Sequence, residues 1–346
     1  MIRALMDYGA LSAKAKAMYG RRLRLSDFRR MAALHSEAEL LDYLKSHPAW
    51  QASAAQLSGG IYIGRVELEQ ALWSQLRTDY QKLLHFVPRA DEPLLSFPIL
   101  LREQRAILSA LRRLKSGRSA PAGLPPSITG SRLDLEALAR CDRFEDLAAA
   151  AAYTIYADAL RQIQPREAGA LPSYTAAEHL LRTVCFSHIY RTIDKLSRGQ
   201  VRSSLLRTYG EQIDWIDLTA LLRLKAYFPG EIDPMSVLFP LRYKLRPEWM
   251  RALWAAPDLS AALALLRDGP YPAAAGVSDV EALEDAGRRS FCQLERRILM
   301  SGPPSVCSAV AYLCLKELEL HALVSLIESV KYGVPYDISL AECFGE

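Results

Sequence analysis

The stretch SVCSAVAYLCLKELELHALVSLIESVKYGVP, residues 305–335, decides the fold that the sequence predicts. It contains an uninterrupted helical pattern of some 27 residues between Pro304 and Lys331, about 40 Å long at 1.5 Å per residue. Gly333 and Pro335 then follow in the order that usually ends a helix. The first half is apolar almost all round. The second half narrows to one stripe, formed by Leu320, Leu323, Ile327 and Val330. We therefore expect a helix that is embedded at one end and half-exposed at the other.

The rest of the chain carries the same helical periodicity. Between Val66 and Val87 the apolar residues recur at steps of three and four, which predicts an amphipathic helix that Pro88 stops. Only Ile61 to Ile63 suggests a strand, and this run is too short to build a sheet. The sequence thus predicts an all-α fold.

Three long helices end alike, which indicates an internal repeat. Each of these closing helices ends at a lysine, namely Lys115, Lys225 and Lys331. The lysines are 110 and 106 residues apart. A leucine opens a short amphipathic helix at Leu25, Leu133 and Leu245, and a glutamate opens each middle helix at Glu67, Glu178 and Glu281. The agreement of independent positions favours a triplicated helical unit of about 108 residues.

Segments rich in turn residues separate the repeats. They are GRSAPAGLPPSITGSR (117–132) and FPGEIDPMSVLFP (228–240). We accordingly predict three similar helical domains: residues 1–117 with the N-terminal helix, residues 118–228 and residues 229–346.

Composition and charge exclude several classes of protein. The 346 residues are 50% hydrophobic and 24% charged, which is incompatible with disorder. The 43 basic and 39 acidic residues are interleaved and leave a net charge of only +4, so nucleic-acid binding is not indicated. The longest stretch without a charged residue, 46–64, is too polar to span a bilayer, and the N-terminus lacks the features of a secretory signal. A cytosolic location with six reduced cysteines is expected.

Motif searches identify no catalytic residue, no cofactor-binding residue and no metal ligand. The glycine cluster at 59–64 is followed by Arg65 and Val66 instead of the Lys and Ser or Thr of a phosphate-binding loop. G-x-S-x-G, H-E-x-x-H and Glu-x-x-His patterns are absent from the sequence. We therefore predict a protein without enzymatic activity, cofactor or bound nucleotide.

Three sets of polar residues have two possible interpretations each. His179 and His188 form the closest histidine pair, but their spacing places them on opposite sides of one helix, so a shared metal is not favoured. Glu317 and His321 are one helical turn apart, and an i,i+4 contact on a solvated face is favoured over an acid–base pair. The arginine-rich stretch 21–30 is interpreted as an exposed helix face, with a protein-docking patch as the alternative.

Three segments carry a resemblance to a known family. They are YGALSAKAKAMYGRRL (8–23), EQIDWIDLTALLRLKAYFPG (211–230) and AVAYLCLKELELHALVSLIESVKYGVPYDI (309–338). They resemble the C subunit of V/A-type rotary ATPases, which is equivalent to subunit d of eukaryotic V-ATPases. The resemblance spans essentially the whole chain and is most specific in the last segment. Two departures are the arginine-rich helix at 103–115 and Asp217, which stands where an Asn is expected.

This resemblance implies a fold and a task. The fold is three similar helical domains arranged as a funnel about a pseudo-threefold axis. The task is that of a non-catalytic central-rotor subunit, which receives the central shaft (subunits D and F) and links it to the membrane ring of proteolipid subunits on the cytoplasmic face. Two alternatives stay open. A helical-repeat adaptor would stack its repeats openly, with contacts between neighbours only, whereas the rotor subunit would also bring the first and third repeats into contact. A helical-bundle enzyme would need a buried polar pocket.

Overall fold

A computed structural model describes residues 2–57, 65–117, 130–167, 169–228, 233–234 and 237–345. Helices account for all regular structure in these residues, and no β-strand occurs among them, which confirms the predicted all-α class. In chain order the α-helices are α1 Ile2–Gly20, α2 Leu25–Ala32, α3 Glu37–Ser46, α4 Gln51–Ala54, α5 Arg65–Leu84, α6 Glu92–Leu95, α7 Phe97–Ser116, α8 Leu135–Arg140, α9 Phe144–Ala150, α10 Ala157–Gln162, α11 Tyr174–Leu196, α12 Gly199–Tyr227, α13 Pro247–Ala255, α14 Leu259–Leu265, α15 Val280–Ser301 and α16 Val306–Tyr332. Short 3₁₀-helices lie at Arg89–Asp91, Leu266–Asp268, Pro272–Ala274 and Ala341–Phe344.

Helix α16 has the extent that the sequence predicts. It contains 27 residues and ends at Tyr332, and the next residue, Gly333, has a φ of 64°, the left-handed conformation typical of a C-terminal cap. All residues from 305 to 316 are buried, which confirms that the first half is embedded. In the second half Leu320, Leu323 and Ile327 are buried, whereas His321 is exposed.

Helix α5 also follows its predicted pattern. Its apolar stripe is buried at Leu72, Leu76, Tyr80 and Leu83, and Val87 continues it beyond the helix end. The suggested strand at 61–63 lies outside the described residues, as do most of the first predicted linker and much of the second.

The chain separates into two compact units. The first comprises Met1–Cys185 and Arg296–Glu346, and the second comprises Phe186–Glu295. In the first unit α16 is the central element, and the helices that pack against it are α1, α2, α3, α5 and α6. The hydroxyls of Ser12 and Ser308, 2.9 Å apart, form one of the polar contacts between α1 and α16. The beginning and the end of the chain are therefore parts of one unit.

Each closing helix packs against the short helices that begin the next predicted repeat. The last closing helix, α16, packs in the same way against the short helices of the first repeat. In the first unit α7 contacts α8 and α9, and α16 contacts α2 and α3. In the second unit α12 contacts α13 and α14, and its core includes Trp215, Leu218, Met250 and Leu253. The division into three domains at 1–117, 118–228 and 229–346, and their arrangement as a funnel, stay predictions.

Candidate functional site

A buried ion pair on α16 anchors two distant parts of the chain. Lys316 and Glu319 are each 3% exposed, and Nζ lies 3.2 Å from Oε2. The other oxygen of Glu319, Oε1, accepts hydrogen bonds from the backbone N–H of Leu23 at 2.9 Å and from Trp50 Nε1 at 2.8 Å. The ammonium of Lys316 also lies 3.8 Å from the centre of the Trp50 ring. The buried charges are thus fully engaged, and they hold the segments before α2 and α4 against α16.

A second buried carboxylate performs the same task in α12. Asp214 is fully buried, and the backbone N–H groups of residues 243–245 donate to it at 2.6 to 3.3 Å. The hydroxyl of Tyr271 donates a further bond at 2.6 Å. Gly210, one turn earlier, allows this segment to approach, because a Cβ there would lie only 2.6 Å from the Cβ of Tyr243.

A third carboxylate completes the pattern in α7. Glu103 is 5% exposed and accepts hydrogen bonds from Ser131 Oγ at 2.7 Å and from the backbone N–H of Arg132 at 3.1 Å. Burial raises the pKa of Glu103, although the two hydrogen bonds act in the opposite direction.

These three residues, which we call the clamp carboxylates, occupy matching places in the repeat. Glu103 lies 12 residues before Lys115, Asp214 lies 11 before Lys225, and Glu319 lies 12 before Lys331. Each accepts a backbone N–H from the segment just before a short helix, which is α8, α13 and α2 respectively. The motifs of the sequence did not indicate these residues, although an acidic residue stands 11 or 12 positions before each closing lysine.

The clamp carboxylates are suited to holding the structure together. Their bonded oxygens are occupied by backbone or side-chain donors. Such charge-assisted bonds stabilise the joint between a long helix and the segment that packs on it.

Glu317 and His321 are in contact as expected, but only His321 is exposed to solvent. His321 Nε2 lies 3.8 Å from Glu317 Oε1, as an i,i+4 pair should. Glu317 is only 17% exposed, however, and it forms an ion pair with Arg105 of α7. Burial would raise the pKa of Glu317, but Arg105 and His321 outweigh burial and lower that pKa to about 2. The i,i+4 contact is therefore confirmed and His321 is exposed, but Arg105 of α7 pairs with Glu317 and leaves its carboxylate mostly covered.

The other polar residues have ordinary surroundings. His179 and His188 both lie on α11, and burial lowers the pKa of His188. In the arginine-rich stretch Arg21 and Arg24 are exposed, as predicted, whereas Arg22 donates to the carbonyl of Phe344 at 2.6 to 2.9 Å.

The remaining features bear on metals and membranes. All six cysteines are buried, and none of them forms a disulfide bond. The glycine cluster at 59–64 lies outside the described residues. Within the described part of the chain, no group of three or more His, Cys, Asp or Glu side chains could hold a metal ion, and no helix is sufficiently long and apolar to cross a bilayer.

Comparison with known proteins decides the family. Residues 11–340 match the family described as ATP synthase (C/AC39) subunit. The chain belongs to this family. No individual curated protein matches the chain significantly. The match covers nearly the whole sequence, including all three clamp carboxylates, and it confirms the family that the three segments suggested.

Family membership defines the setting of the protein. As an ATP synthase (C/AC39) subunit, the chain is an accessory part of a V/A-type ATP synthase, a membrane-associated rotary machine that couples ATP chemistry to ion transport. The clamp carboxylates therefore belong to a component of a larger assembly.

Proposed function

We propose that this chain is the non-catalytic socket of the central rotor. It would link the central shaft, formed by subunits D and F, to the membrane ring of proteolipid subunits, and it would transmit rotation between ATP synthesis or hydrolysis and the transport of H⁺ or Na⁺. It would lie on the cytoplasmic face of the membrane, attached through the ring, and bind neither nucleotide nor nucleic acid. The family match over residues 11–340 carries this proposal.

The packing of α16 supports the rotor subunit over the helical-repeat adaptor. An open stack of repeats brings only sequence neighbours into contact. Here α16, from the last predicted repeat, packs against α1, α2 and α3 from the first. The bond from Leu23 to Glu319 joins residues that are 296 positions apart. Contact between the first and last repeats is what the rotor hypothesis expects and what an open adaptor lacks.

The clamp carboxylates support a mechanical task. A subunit that transmits torque between a shaft and a ring must prevent its helices from sliding past one another. Any elastic deformation of the subunit would store energy that is then not passed on to the shaft or the ring. Densely packed helices have low compressibility. Buried charge-assisted bonds at Glu103, Asp214 and Glu319 add resistance at the places where long helices meet the loops that pack on them.

Native mass spectrometry of co-expressed subunits tests the partners. The chain is produced with the shaft subunits encoded in the same genome and, separately, isolated in detergent from its own cells. The proposal predicts complexes that contain the chain with D and F, and in detergent with the ring as well. A free monomer in every preparation would overturn the rotor assignment and favour the adaptor.

Deletion of the gene tests coupling. Cells that lack the chain should retain ATP hydrolysis by the soluble head but lose ATP-dependent ion movement in membrane vesicles. Complementation with Glu319→Gln should restore coupling incompletely, since its loop contacts are weakened. The exposed Glu136→Gln variant, whose carboxylate pairs only with Arg140 among the described ion pairs, should restore it fully. Loss of soluble ATP hydrolysis on deletion would contradict a coupling role.

A further inference from the structure

An exposed basic patch surrounds the turn between α11 and α12 in the second unit. The segment 191–202 contains five charged residues, and each of them is exposed. Four are basic and one is acidic, which leaves an excess of three positive charges. The five residues, which we call the basic turn, are Arg191, Asp194, Lys195, Arg198 and Arg202.

Contacts within the chain neutralise only one of these four positive charges. Arg202 pairs with Asp194, with its two nitrogens 2.7 and 3.0 Å from the same carboxylate oxygen. Arg198 donates instead to the backbone carbonyl of Asp194 at 2.7 Å, and this carbonyl carries no net charge. Within the part of the chain that the structure describes, none of Arg191, Lys195 and Arg198 forms an ion pair.

The stability of the chain itself does not account for this excess of charge. The bond from Arg198 to the last turn of α11 is favourable. The same residue is, however, the N-cap of α12, where a positive charge is unfavourable, and the first turn of α12 contains no acidic residue. Arg191 and Lys195 lie four residues apart on one face of α11, where like charges repel. A negatively charged partner would offset both unfavourable effects.

The surface chemistry of the patch indicates the class of partner. A helix that lies on a membrane inserts apolar side chains, but residues 186–207 expose no large apolar side chain. Arg191 and Lys195 are about 6 Å apart along the axis of α11, at 1.5 Å per residue. Carboxylates four residues apart on a second helix have the same spacing, so a helix with acidic residues at i and i+4 complements this face.

We propose that the basic turn is a docking surface for an acidic helix of another subunit of the ATP synthase. Membership of the C/AC39 family places the chain in such an assembly. Complementary charges of this kind accelerate association and fix the orientation of the partner. The inference goes beyond the proposed function, because the partner need not be the shaft or the ring.

Zero-length cross-linking of the purified ATP synthase tests the contact directly. A carbodiimide joins an amine to a carboxylate that touches it and leaves no spacer between them. Mass spectrometry of the digested complex should find Lys195 joined to an Asp or Glu of another subunit. The Lys195→Arg variant, which keeps the charge but lacks the amine, should lose this cross-link. Cross-links between other subunits without one from Lys195 would overturn the proposal.

Loss of charge is tested by rebinding of the purified chain to membranes of cells that lack its gene. Arg191→Gln combined with Lys195→Gln should weaken binding about tenfold, because two exposed ion pairs with the partner are lost. The control, Arg140→Gln combined with Arg143→Gln, removes two exposed arginines of the first unit and should bind like the parent. Equal binding by both double variants, or no saturable binding by the parent, would contradict the proposal.

Vesicles of phosphatidylserine and phosphatidylcholine distinguish a lipid from a protein partner. The parent should bind them much more weakly than it binds the membranes, and equal binding would overturn the protein assignment. The cross-link is measured on the unsubstituted chain, so the test holds even if the double variant does not fold. A cross-link to a subunit outside the shaft and the ring would support this docking surface and contradict the socket function, so the two proposals fail separately.

Discussion

Replacing Asp217 by Asn is expected to make the stability of this protein less dependent on pH. Asp217 lies in α12, is 1% exposed, and accepts a hydrogen bond from the backbone N–H of Phe239 at 3.0 Å. Its second oxygen has no hydrogen-bond partner among the described residues. Burial raises the pKa of Asp217 from 3.8 to about 7. The Phe239 bond and Arg242 counteract this, and Asp214 adds to it.

The magnitude follows from the difference between the folded and unfolded states. A rise of about 3 units corresponds to about 4 kcal/mol, at 1.36 kcal/mol per unit. Below pH 3.8 the carboxyl is protonated in both states, and its contribution to stability is fully present. Between pH 3.8 and about 7 only the unfolded state releases the proton, so the free energy of unfolding falls as the pH rises. Above about pH 7 both states are ionised and the loss is constant.

Asn is the matched substitution because it keeps the acceptor for Phe239 and cannot ionise. Urea unfolding measures the free energy of unfolding of both proteins at pH 4.5 and 7.5. The value for the Asn variant, relative to that of the parent, should be about 3 kcal/mol higher at pH 7.5 than at pH 4.5. Any effect of the Asn side chain on stability that does not depend on pH cancels when the two pH values are compared. The exposed Asp158→Asn variant should show a difference that changes by less than about 0.5 kcal/mol.

A direct titration gives an independent check. The side-chain carboxyl ¹³C resonance that Asp217→Asn lacks should titrate with a midpoint near 7 in the folded protein. A midpoint near 4, or a stability difference that is the same at both pH values, would refute the reasoning that burial keeps this carboxyl protonated.

The remaining predictions concern three other buried or strained positions. Burial raises the pKa of Glu295 to about 8, so Glu295→Gln should gain stability relative to the parent as the pH rises from about 4.5 to 8, measured by urea unfolding. Glu319→Ala should lower the free energy of unfolding by about 3 to 5 kcal/mol, because it leaves Lys316 buried without its carboxylate. Gly333→Ala should cost about 1 to 2 kcal/mol, since φ is 64° there, whereas Gly20→Ala should be nearly neutral.

Each of these has a result that contradicts it. A pH-independent effect of Glu295→Gln would mean that this carboxyl has an ordinary pKa. A cost below about 1 kcal/mol for Glu319→Ala would show that water reaches Lys316 in the folded state. Equal effects at Gly333 and Gly20 would show that the backbone conformation at the end of α16 is not strained by a side chain.

Much of the fold was predictable because the signals are local. The apolar periodicity and the closing glycine of α16 are properties of neighbouring residues, and the helix ends where they indicate. The mismatch at Asp217 was visible too, since an acid stood where an amide was expected, and the structure shows that its burial raises the pKa. The clamp carboxylates were missed because an acidic residue in a helix is usually exposed, and only their partners reveal that they are buried.

For this chain, the pattern of residues alone was sufficient to predict the all-α class, the ends of the long helices, the repeated closing lysines and the family. These features could be predicted because helix periodicity, caps and motifs each depend on a few neighbouring residues. Only the three-dimensional structure could decide that α16 packs against α1 and α2, that Glu319 bonds Leu23, and that Glu317 faces Arg105. Those contacts join residues 200 to 300 positions apart. They depend on which helical faces pack together, and helical periodicity is the same for many possible partners.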